Sequence, residues 1–70
     1  MQRFGEKLRF LREQNNLTMR ELAVELDLKS HGSVGDLELG RAKPSTTLVV
    51  RVADLFDVTT DQLLRDELEV

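Results

Sequence analysis

Apolar residues in this chain recur at steps of three and four and never alternate over a sustained stretch. That spacing lines one face of an α-helix and cannot line one face of a strand, so it predicts an all-α domain. Phe4, Leu8 and Leu11 share a face of a first helix, which Asn15-Asn16 closes. Thr18 opens a second as its N-cap; Glu21, three residues on, completes a capping box, and Met19, Leu22, Ala23 and Leu26 form the buried stripe. Ser30 or Ser33 caps a third helix, with Val34 and Leu37 facing inward and Gly40 stopping it. "GRAKPS" is a loop, after which Ser45 caps a fourth helix whose inner face is Leu48, Val52, Leu55 and Phe56. Its "LVVRV" is rich in β-branched residues and would suit a strand. The helical spacing and the lack of a partner strand favour the helix. Thr59 and Gln62 make a second capping box at the head of a fifth helix, which carries Leu63, Leu64 and Leu68. The prediction is therefore a compact five-helix domain spanning residues 1–70, with no repeat, linker or low-complexity tract, and loops of the usual few residues.

Seventy residues are near the lower limit for folding without staples, and there is no cysteine to make one. A thiolate metal site is excluded for the same reason, and the single histidine, His31, leaves no cluster for zinc, so neither metal nor cofactor is expected. The start "MQRFGEKLRF" lacks the apolar core of a signal peptide, and no apolar run approaches the roughly 18 residues of a membrane span. The expectation is a cytoplasmic domain with no membrane partner. The net charge of −3 argues mildly against nucleic acid, which attracts basic patches. The charge is uneven, however. Residues 1–47 hold eight Lys/Arg against seven Asp/Glu, and residues 48–70 hold two against six. The acidity sits at the C-terminal end, leaving a weakly basic N-terminal face.

Nothing points to an enzyme. No nucleophile stands beside a base and no glycine-rich loop follows a strand. Glu21 and Glu25 lie one helical turn apart, which fits a capped, solvated face better than an acid/base pair. A lone histidine near a helix start is ordinarily an exposed polar residue, not a switch.

Taken together, "FGEKLRFLREQNNLTMRELAVEL", "SVGDLELGRAKPS" and "LVVRVADLFDVTTDQLL" resemble the phage-repressor and Cro type of helix-turn-helix domain, the XRE family. The resemblance runs from about Phe4 to Leu64, and its specificity lies in the order and spacing of "LR" at 11–12, "LTMRELA" at 17–23, "LELGRAKPS" at 37–45 and "LFDVTTDQLL" at 55–64. It implies a helix-turn-helix in the second and third helices, with the third in the DNA major groove. It also implies that Arg12 and Glu38 pair the first helix with the end of the third. Base contacts would fall to Lys29, Ser30, His31, Ser33 and Asp36, and phosphate contacts to Thr18 and the helix start it caps, Arg20, Arg41 and Lys43. The implied partners are double-stranded DNA and a second copy of the chain, a homodimer on a near-palindrome. Val58, Leu63, Leu64, Leu68 and Val70 are candidates for that contact, as are Phe10, Leu39 and Val50 off the inner stripes of their helices. The apolar ending "DELEV" suggests the head of a longer regulator.

The chain departs from the family in three places. The stretch from Thr18 to Gly40 is one residue longer, around Asp27-Leu28-Lys29, and the turn has Asp27 where many members have glycine. Aspartate tolerates the left-handed backbone that such a turn needs. Met19 replaces a frequent phosphate-holding glutamine. The third helix carries Gly32 and Gly35 and offers neither the amide grip on adenine nor the guanidinium grip on guanine, so it is expected to fray or to start late, at Ser33. Three readings stay open: a plain reader assisted by water and DNA shape, a small-residue helix whose backbone comes close to DNA, or a scaffold that has exchanged DNA for a protein partner.

Overall fold

In the computed structural model, which describes residues 1–70, the chain winds into α1 (Phe4–Gln14), α2 (Met19–Glu25), α3 (His31–Glu38), α4 (Thr46–Phe56) and α5 (Thr60–Leu64), with no strand. Three starts are fixed by side chains. The hydroxyls of Thr18, Ser45 and Thr59 accept from the backbone N–H three residues on, and Glu21 and Gln62 return the bond to the N–H of Thr18 and Thr59. The start of α1 is held from the far end of the chain, because the Asp66 carboxylate accepts from the N–H groups of Gln2 and Arg3 at 3.1 and 3.0 Å. Helix α3 begins at His31 behind Ser30, earlier than a start at Ser33 and without any bond from the capping side chain. Three bonds to the Asp36 and Leu37 carbonyls close its other end, and Val34 and Leu37 are buried, so neither glycine interrupts it.

Helices α1 to α4 end alike. Asn16, Asp27, Gly40 and Asp57 take the left-handed conformation, with φ of 58°, 57°, 77° and 54°. The N–H of the next residue reaches back five positions, as from Leu17 to Arg12 O and from Leu28 to Ala23 O. Asp27 thus supplies the turn that a glycine commonly makes.

The core joins Phe4, Leu8 and Leu11 of α1 to Leu22, Ala23 and Leu26, to Val34 and Leu37, and to Leu63 of α5. Helix α4 contributes Leu48, Val49, Val52 and Ala53. Its inner face is therefore rotated toward Val49 and Ala53, leaving Phe56 half-buried and Leu55 36% exposed, against the expectation for Leu55. Met19 is also only half-buried. Helix α5 stops at Leu64, so Leu68 lies beyond it in a turn. Leu63 is 0% exposed and is committed to the core, not free for a second chain.

Lys7 is 1% exposed within this apolar setting. Its ammonium donates to the carbonyls of Gln62 at 2.6 Å and Arg65 at 2.8 Å, which belong to the end of α5. A charge so deeply covered is tolerated because its donors find acceptors that the end of a helix leaves open.

Candidate nucleic-acid interface

Helices α2 and α3 meet across the Asp27 turn, and α1 braces the far end of α3. The Arg12 guanidinium donates to both oxygens of Glu38, at 2.7 and 3.2 Å, and to Leu17 O at 3.0 Å. The side chains are 11% and 2% exposed, so water competes little for this fork. The Glu38 bond raises the Arg12 pKa further above its already high value, against the opposing effect of burial. Arg12 thereby ties α1, the loop before α2 and the end of α3 together.

Two shallow hollows flank α3. Arg20, Lys29, Ser30 and His31 surround the first, whose walls are Ala23, Val24 and Leu28. Ser33, Asp36 and Lys43 line the second, together with Leu28, Leu37, Ala42, Ser45 and Leu48. Seven of the nine residues expected to touch DNA thus gather in two adjoining depressions. Thr18 and Arg41 line neither. All nine are exposed except Ser33, which is half-buried. The Thr18 hydroxyl accepts from the Glu21 N–H, while the Glu21 carboxylate accepts from the Thr18 N–H and titrates below its usual range because of those bonds.

The cations of this chain fall into two groups. Arg3, Arg9, Arg12, Arg51 and Arg65 each face a carboxylate of the same chain, and Lys7 is held by carbonyls. The side chains of Arg20, Lys29, Arg41 and Lys43 have no carboxylate within salt-bridge distance and donate no hydrogen bond to the chain. Those four lie on or beside α2, α3 and the loop that follows. The acidic total conceals this, because it does not tell which cations face a carboxylate.

Lys7, Gly5 and Arg51 escaped the sequence reading. Lys7 stands three residues after Phe4 and four before Leu11, so helical spacing did place it on the buried face. Gly5 gave no signal; its backbone touches the end of α3. Arg51 donates to Leu26 O at 3.2 Å across the end of α2, a contact that only the tertiary fold creates.

An all-helical scaffold with its second helix turned onto its third, and unpartnered cations around that pair, defines a helix-turn-helix DNA-binding domain. The chain belongs to the XRE-type helix-turn-helix family, whose profile matches residues 8–63. It is 36% identical over 64 residues to the HTH-type transcriptional activator BcrR of Enterococcus faecalis, covering 91% of this chain and 31% of that one. It superposes on the crystal structure of the clp gene regulator ClgR from Corynebacterium glutamicum with a TM-score of 0.78 at 30% identity, covering 90% of this chain and 66% of that one. The chain thus spans about a third of the curated relative's length. The family and these relatives are transcription regulators, and the chain belongs with them, not with enzymes. No helix is long and apolar enough to cross a membrane.

Proposed function

We propose that this chain is the sequence-specific DNA-binding domain of a cytoplasmic transcription regulator, acting as a homodimer on a near-palindromic duplex with α3 in the major groove. The observation that carries the reading is the segregation of cations: the four without partners are Arg20, Lys29, Arg41 and Lys43, around the helix-turn-helix. Arg20, Arg41, Lys43 and the α2 start at Thr18 hold phosphates and fix register, while Lys29, Ser30, His31, Ser33 and Asp36 meet base edges. Asp36 suits the exocyclic amine of cytosine. With so few long polar side chains on α3, water and DNA shape carry much of the discrimination. Val50 and Leu68, both exposed, are available for pairing two copies, which places half-sites about one helical turn apart or a multiple of it. The domain forms the DNA-binding part of a longer regulator, in keeping with its share of the curated relative.

Selection from a random duplex pool, followed by a salt titration of the enriched site, tests this. Log affinity is expected to fall linearly with log salt, and Arg41→Ala to reduce the slope by about one unit. A second reading, a scaffold turned to protein binding, draws on Val24 and Leu39, two large apolar side chains left exposed beside and at the end of α3. Absence of binding to every duplex at low salt overturns the first reading in favour of the second.

A further inference from the structure

Gly5 lies in the first turn of α1 with its backbone against the last turn of α3. A Cβ there would stand 2.4 Å from Leu37 O and 2.5 Å from Glu38 O, both main-chain atoms, where real Cβ atoms essentially never come within 3.0 Å. The Leu37 carbonyl cannot step aside alone. Leu37 O accepts from the Gly40 N–H at 3.2 Å, and the neighbouring Asp36 O accepts from Arg41 and Ala42. Two turns further along α1, Arg12 grips the Glu38 side chain. Helix α1 therefore meets the end of α3 at two points, a bare backbone stop and a charged fork. The glycines of α3 itself differ. A Cβ at Gly32 meets only Ser30 Oγ at 3.6 Å, and one at Gly35 only Met19 Sδ at 3.9 Å, both ordinary contacts.

The geometry assigns Gly5 a positioning role: the missing side chain sets how closely α3 seats on α1, and hence where His31, Ser33 and Asp36 are presented. An alanine at position 5 separates the two backbones until 2.4 Å becomes at least 3.0 Å. A helix of eight residues pinned at one end responds by moving as a body. That displacement is independent of any ligand, whereas its effect on DNA rests on the function proposed above.

The test is Gly5→Ala in a parent carrying Asn16→Gly and Asp57→Gly, which place glycine at two left-handed positions and offset lost stability. Val49→Ala in the same parent reports on destabilisation alone, since Val49 is a core residue beside the α4–α5 hollow. Backbone amide shifts and the ratio of affinities for a selected duplex and its scrambled counterpart are measured in each. For Gly5→Ala, shifts are expected across His31–Asp36 as well as Leu37–Gly40. The affinity ratio is expected to fall about tenfold, comparable to one misread base pair. Val49→Ala is expected to keep the ratio of the parent. Shifts confined to Leu37–Gly40, an unchanged ratio, or a chain that does not fold even in this parent overturns the assignment. If the parent distinguishes no duplexes, the DNA-binding reading is what fails, and the amide shifts alone decide the role of Gly5.

Discussion

Lys7 sets the terms at the scale of single residues. Its stem is buried along α1 like Phe4, Leu8 and Leu11 while its ammonium closes the end of α5, so one side chain does the work of an apolar residue and of a helix cap. Lys7→Met keeps the stem and removes the donors. It is expected to lower the unfolding free energy by about 2 kcal/mol, because two covered carbonyls lose their partner. Urea titration measures the change, and a loss well under half of that would mean that water takes over the carbonyls. The position was legible in the sequence from its spacing, but its chemistry was not. Lysine is rarely buried, and the acceptors lie 55 and 58 residues away along the chain. Leu55 is the converse case. It sits seven residues after Leu48, on a helix whose inner face turns toward Val49 and Ala53 once α5 packs beside it.

Among the elements, α3 is the least determined by its own residues. Helices α2, α4 and α5 announce their starts through Thr18, Ser45 and Thr59, and those starts were readable because the bonds are local. The start of α3 was not, since Ser30 and Ser33 both qualify and Ser30, which takes the cap position, makes no capping bond through its side chain. Its order comes from elsewhere: buried Val34 and Leu37, the Arg12 fork and the seat on Gly5. Gly32→Ala meets no obstacle and removes backbone freedom from the unfolded chain, so it is expected to stabilise the domain by up to about 1 kcal/mol. Gly40→Ala is expected to do the reverse, because φ there is 77°. Denaturant midpoints for the pair check both signs. If Gly32→Ala destabilises, the first turn of α3 is not helical in solution.

Over the whole molecule, pairing decides which charges face outward. The four free cations were named in the sequence through family resemblance, yet their freedom could not be read there, since it depends on partners such as Glu69 for Arg3, 66 positions away. The same long-range pairing fastens the chain ends. Arg3 donates to both oxygens of Glu69 at 2.7 and 2.9 Å, and Asp66 accepts from the N–H groups of Arg3 and Gln2. These contacts hold both carboxyls below their usual range, Asp66 through the N–H groups of Arg3 and then Gln2, Glu69 through the Arg3 side chain. Because the folded chain binds these protons more weakly than the unfolded one, their contribution is complete above the ordinary carboxylate pKa and is lost as pH falls through the lowered folded values. Acidification is expected to free the Gln2 and Arg3 amides for hydrogen exchange before those of the core, while exchange that rises everywhere together would mean the ends are not released separately. The clasp has a topological corollary. Two ends held side by side can be spliced by a few flexible residues and the chain reopened in the loop between α1 and α2, so that α1 is made last instead of first; such a permutant should reach the same native state by a different order of assembly.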